Sequence, residues 1–128
     1  MAAVIELELP YPPSANHYYR HVGPRVLISR EGRQYRDNIV DILKTERVSR
    51  LPGRLEVWMS FLPPDNRRRD LDNCLKCLSD ALQKGGLYED DSQIKRLHLE
   101  MCEPIEGGRC FVRAGRIDES ANNPLRLT

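Results

Sequence analysis

Asp70 and Asp72 stand two residues apart, directly behind Arg67, Arg68 and Arg69, in the run Pro63-Pro64-Asp65-Asn66-Arg67-Arg68-Arg69-Asp70-Leu71-Asp72-Asn73. Guanidinium forks suit a phosphate backbone, and paired carboxylates suit a hard cation. Each residue also has a plain structural reading. Asp70 sits where a helix is predicted to begin, so it can cap that helix, worth about 1 kcal/mol. Asp72 favours the same helix end through the dipole. Exposed ion pairs between the acids and the arginines contribute only about 0–1 kcal/mol, a weak reason for three arginines in a row. Lys76 follows Asp72 by four residues, on one helix face. It is either half of a surface ion pair or a cation able to neutralise a phosphate oxygen. Asp90 and Asp91, after Gly85-Gly86-Leu87-Tyr88-Glu89, are either a solvated turn or further acids for the same site.

If these carboxylates converge, two unit charges about 5 Å apart repel by roughly 3 kcal/mol at an effective dielectric of about 20. Such a group needs a counter-charge. Oxygen ligands without histidine or thiolate fit Mg²⁺ or Mn²⁺ rather than zinc, and water held by such an ion can attack phosphorus. Convergence has two routes. Either the strand starting near Ile94 passes the N-terminus of the helix, or a second subunit supplies the acids at 90 and 91. The sequence leaves both open.

The elements that must position these residues follow from pattern. A chain of 128 residues suits one domain with a single core. Val4 to Leu9 reads as a strand ended by Pro10, Pro12 and Pro13. A polar, aromatic loop follows, and Val26 to Ile28 is a short strand. Ser29 caps a helix from about Arg30 to Arg47, with Tyr35, Ile39, Ile42 and Leu43 as its apolar stripe. Gly32 weakens that helix in its first turn. Leu55, Val57, Met59 and Phe61 alternate with Glu56, Trp58 and Ser60, a strand with one buried face. A second helix runs from Leu71 to Lys84, with Leu71, Cys74, Leu75, Leu78, Ala81 and Leu82 inward. Ile94 to Glu103 and Arg109 to Ile117 read as a hairpin joined at Gly107-Gly108. The β-α-β-α-β-β order predicts an α+β domain over residues 1–117 with a mixed sheet and two main helices. Two helices cover one sheet face; a second subunit covers the other if it is apolar. Residues 118–128 are expected to fray.

Composition narrows the class. Charged residues are 30%, apolar residues 40%, and the net charge is +1. Arginines gather at Arg20, Arg25, Arg30, Arg33 and Arg36 and again at 67–69, while acids dominate 89–91. A near-neutral total therefore hides a basic surface around an acidic pocket. No apolar run approaches the roughly 20 residues of a spanning helix. The start, MAAVIELELPYPP, lacks the basic leader and apolar run of a signal peptide, so a cytoplasmic protein is expected. Cys74, Cys77, Cys102 and Cys110 have poor spacing for a zinc ribbon and read as small buried hydrophobes. They leave a zinc-stabilised interaction domain as one alternative. The arginines leave another, a DNA-binding module without catalysis.

RRRDLDN with Lys76, Asp80-Ala81-Leu82, Gly86 and Asp90-Asp91 resembles the RusA family of Holliday-junction resolvases. LPYPPSANHYYRH, Ser29-Arg30-Glu31-Gly32 and Tyr35-Arg36-Asp37-Asn38 are similar to that family's opening and first helix; the likeness runs from about Leu7 to Gly108. The resemblance implies a homodimeric endodeoxyribonuclease of bacteria, phages or prophages, acting in recombination and repair. It implies Mg²⁺-dependent cutting of four-way junction DNA by paired symmetrical nicks, with no membrane and no organic cofactor. By the resemblance Asp70, Asp72 and Asp91 are the metal-binding acids, Asp90 a helper, Lys76 the catalytic lysine and Arg69 a DNA contact. Arg67, Arg68, Asn16, Tyr18, Tyr19 and Arg20 complete the DNA-contacting set. One of the two tyrosines is expected to pack its loop on the sheet instead. Cys74, Cys77, Ser79 and the segment after Gly108 depart from the family pattern.

Overall fold

The alternation at 55–62 decides the layers. Strand β4 (Leu55–Leu62) buries Leu55, Val57, Met59 and Phe61 and leaves Trp58 exposed on the opposite face, because successive side chains of a strand point to opposite sides. The computed structural model describes residues 4–117; the tail at 118–128, expected to fray, lies outside them. β1 (Val4–Leu9), β6 (Arg109–Arg116), β4 and β5 (Ile94–Met101) form one sheet in the order β1-β6-β4-β5. β1 and β4 both pair antiparallel with β6, whereas β4 and β5 are parallel. The fold is α+β with a mixed sheet. A separate ribbon joins β2 (Tyr19–Val22) to β3 (Arg25–Ile28), extending what the sequence marked as a loop and one short strand.

The hairpin expected from 94–117 does not form. β5 lies at the sheet edge beside β4, and β6 is inserted between β1 and β4. The glycine-rich turn fixes where the chain reverses, but not which strand the returning segment meets. Cys110, Val112 and Ala114 of β6 are all buried. A central position buries them; next to an edge strand it would not.

Three helices accompany the sheet: α1 (Ala15–Tyr18), α2 (Arg30–Thr45) and α3 (Leu71–Lys84). Tyr35, Ile39 and Leu43 of α2 join Cys77, Leu78, Ala81 and Leu82 of α3 in one buried cluster with Leu7, Leu9 and the inner face of β4. Each such side chain contributes roughly 1.5–3 kcal/mol by leaving water. The open sheet face is mixed, with Trp58 and Phe111 exposed on it among charged residues. Its strands carry cross-strand pairs, Arg113 with Glu6 and Arg109 with Glu8. Trp58 lies between the Arg113 guanidinium (5.3 Å) and a stacked His98 ring (4.9 Å).

Ser29 caps α2 as expected, accepting the Gly32 N–H at 2.9 Å. Gly32 is there for room: a Cβ on it would meet the Tyr18 carbonyl oxygen at 2.3 Å. That carbonyl is itself fixed by the Ser29 N–H at 2.8 Å. Gly32→Ala should therefore destabilise the protein by about 1–3 kcal/mol through overpacking, read as a lower urea midpoint. Gly23→Ala, in open space at φ +59, should cost only about 1 kcal/mol of backbone strain.

Candidate functional site

Pro63 and Pro64 end β4, since neither can donate to a ladder. The loop they open is held from behind, where the Ile105 N–H donates to the Pro63 carbonyl at 2.9 Å. Asp65 organises its interior. Its Oδ1 takes the Arg67 N–H at 3.0 Å and lies 2.8 Å from Arg69 Nη1. Arg69 Nη1 also donates to the carbonyls of Asp65 and Arg67, and its guanidinium sits 5.7 Å from the Tyr11 ring centre. The Arg69 hydrogen bond, then the Arg67 N–H, hold the Asp65 carboxyl below its ordinary range. Arg69 is thus a brace for the loop. Arg67 is 85% exposed and only skirts Asp65 at 3.7 Å. Arg68 makes no hydrogen bond or ion pair with another described residue.

α3 begins here. Asp70 occupies the N-cap position, yet its side chain makes no capping bond. Asp72 is exposed in the first turn, and Lys76 is exposed one turn on. None of the three side chains makes a hydrogen bond or ion pair with another described residue. Of the plain structural readings, the capping bond and the i,i+4 pair are not made, whereas Asp72 does sit in the first turn, where the helix dipole favours a carboxylate. Two uncommitted carboxylates at a loop–helix junction are hard oxygen donors of the kind Mg²⁺ or Mn²⁺ takes. They are not enough alone: no group of three or more His, Cys, Asp or Glu among the described residues is arranged to hold a metal.

Asp91 lies at the other end of the helix. Its N–H donates to Gln83 Oε1 at 3.1 Å. Gln83 follows Asp72 by three turns, a rise of about 16 Å along the axis. The backbone of Asp91 is thus anchored at the C-terminal end of α3, away from the end that carries Asp70 and Asp72. The turn holding Asp91 is firmly built. Tyr88 is buried, its hydroxyl donating to the Ser79 carbonyl at 2.9 Å. Gln93 Nε2 donates to the carbonyls of Leu51 and Gly53. Asp90 caps the turn, accepting the Ser92 N–H at 2.8 Å, and that bond lowers its pKa. Asp90 thus shapes the turn from which Asp91 projects.

Of the N-terminal candidates, Tyr18 is the core residue. It is fully buried and donates its hydroxyl to Asp80 on α3. Burial first, then that bond, push its pKa up. Asp80 also lies 4.0 Å from Arg36 of α2. Asp80 therefore pins α1 to both long helices, a role that its polar side chain on an outward helix face did not signal. Tyr19 is half-buried against Tyr18, while Asn16 and Arg20 are exposed. The cysteines are free thiols: Cys74 and Cys77 on α3, Cys110 in β6, and half-buried Cys102. Burial raises Cys77 and Cys110 to about 12. They behave as the small hydrophobes the spacing suggested.

Residues 10–113 match the family described as Endodeoxyribonuclease RusA. A protein of Shigella sonnei (strain Ss046) named Crossover junction endodeoxyribonuclease RusA is 41% identical over 106 residues, covering 80% of this chain and 87% of that protein. The protein of that name from Enterobacteria phage HK97 is 36% identical over 111 residues, covering 86% of this chain and 92% of its own length.

The loop brace is open to measurement. By NMR titration, Asp65 should protonate below 3.8 and return towards that value in Arg69→Ala. The sign follows from linkage: a carboxylate lowered on folding stabilises above its unfolded pKa, and the contribution is lost as pH falls through the folded one. An unchanged Asp65 midpoint in Arg69→Ala would remove the brace.

Proposed function

The chain belongs to the RusA family of endodeoxyribonucleases, and on that premise we propose that it resolves four-way DNA junctions by paired phosphodiester hydrolysis. The working form is a two-fold dimer whose active sites are shared between subunits. The observation that carries this reading is the set of uncommitted charges, Asp70, Asp72, Lys76 and Arg68, on one loop–helix junction.

Asp70 and Asp72 of one subunit, with Asp91 of the other, hold the metal. The anchoring of Asp91's backbone at the C-terminal end of α3, opposite Asp70 and Asp72, supports a second subunit as donor of the third acid. A hard dication such as Mg²⁺, when bound, supplies positive charge at the scissile phosphate and activates water. Arg67 and Arg68 grip the backbone with guanidinium forks. Lys76, one turn beyond Asp72, neutralises charge developing on a phosphate or leaving oxygen. Arg20, Asn16 and Tyr19 extend the contact, and Arg69 acts by holding the loop. Two-fold symmetry answers the substrate: a junction must be cut on two opposed strands, and a dimer presents two related sites. The setting is the cytoplasm of a bacterium, infected or not.

Incubation with a synthetic four-way junction and Mg²⁺, beside a matched linear duplex, should give paired nicks in the junction alone. Asp70→Asn should lower the cutting rate by about 10²–10³-fold or more, with junction binding retained. Cutting by neither metal-loaded wild type nor variant, at any pH tried, would leave only a binding module. The shared site has its own test. Asp70→Asn and Asp91→Asn chains, each inactive, should regain about a quarter of wild-type sites when mixed and allowed to exchange, because half the dimers are then mixed and each has one intact site. The product should be single nicks. No recovery on mixing would place all three acids in one chain's site.

A further inference from the structure

A cleft of about 830 Å³ opens beside Asp70, between the proline-rich N-terminal segment, α2 and the start of α3. Two hydroxyls in its lining are already satisfied: the Tyr35 hydroxyl donates to the Pro10 carbonyl at 2.9 Å, and the Tyr11 hydroxyl meets Cys74 Sγ at 3.1 Å. Its walls are different. Gln34, Asn38 and Asn73 all face it, and none of these side-chain amides hydrogen-bonds to another described residue. Arg67 and Arg68 stand at the rim.

Each free amide offers a donor and an acceptor side by side, the pattern that reads a base edge. A base stacked in duplex keeps its pairing edge occupied and cannot enter a cleft. A base taken out of the stack can, and the cost is least where stacking is already broken, as at a crossover. Tyrosine rings, side-chain amides and arginines in the lining, beside Glu31 and Asp70, correspond to base face, base edge and phosphate. The volume lies within the roughly 300–1,000 Å³ of single-ligand sites. Gln34 and Asn38 are one helical turn apart and so share a face. Asn73 adjoins Asp72 in sequence, which ties that amide to the acids by one helix start.

We propose that this cleft takes an unstacked nucleobase of the junction strand beside the scissile phosphate, and that Gln34, Asn38 and Asn73 read its edge; the inference rests on the nuclease reading above. Cut-site sequence preference then originates here, away from the metal-binding acids.

The test uses full-length protein and the exposed-residue variants Gln34→Ala and Asn38→Ala, each first shown to melt like wild type. On a junction whose crossover migrates through varied sequence, wild type should cut at a restricted set of positions. The variants should lose about ten-fold or more in kcat/KM at the preferred position, with rates at disfavoured positions unchanged, so the cuts spread. In a second arm, 2-aminopurine beside the preferred cut reports unstacking without divalent metal. Its fluorescence should rise several-fold on binding wild type and far less with Asn38→Ala. Unchanged cut distribution together with no wild-type-specific fluorescence rise overturns the proposal. If wild type cuts no junction at all, the nuclease reading fails instead, and the metal-free fluorescence arm still decides the cleft.

Discussion

A parallel strand pair cannot be closed by a tight turn; the chain must travel back along the sheet before the second strand begins. β4 and β5 are such a pair, and α3 is the return. The chain leaves β4 at Leu62, passes the arginine loop and enters α3 at Asp70. It leaves α3 near Gly85 and enters β5 at Ile94, whose register partner is Leu55 at the opposite end of β4. That single connection fixes the polarity of everything functional. The acids before α3 and the acid after it are held at opposite ends of a helix, by rigid structure on both sides.

The charges divide sharply by what they are bonded to. Arg69 and Asp65 hold the loop, Asp80 holds Tyr18 and lies near Arg36, Asp90 caps its turn, and Arg109 and Arg113 answer glutamates across the sheet. These contacts are mostly exposed, so their value is geometric more than energetic. Asp70, Asp72 and Lys76 receive nothing comparable.

The N-terminal segment shows how a distant contact shapes this region. Tyr18 bonds Asp80 from within the core, and its carbonyl lies so close to Gly32 that no side chain fits between them. These two constraints set α1 beside α2 and α3. The cleft beside Asp70, with Asn16 and His17 on one side and Asn73 on the other, exists because of that placement.

Periodicity and local chemistry determined a good deal from the sequence alone. The stripes of α2 and α3, the alternation of β4, the Ser29 cap and the burial of the cysteines all follow from neighbours within a few residues, where side-chain direction is set by 3.6- or 2-residue geometry. The motif at 67–76 was equally legible as a run of chemistry. Pairing and commitment were not. A glycine turn at 107–108 looks the same whether its strands meet or part, and only competition for the buried sheet position moved β6 between β1 and β4. Asp70 and Asp80 are both acids of one helix and its cap; only tertiary contact decides that the second side chain is bonded to a buried tyrosine and the first to no described residue. Likewise the anchoring of the Asp91 backbone at the C-terminal end of α3 is a property of the crossover, because position in a fold depends on which way the chain returns and not on how many residues it takes.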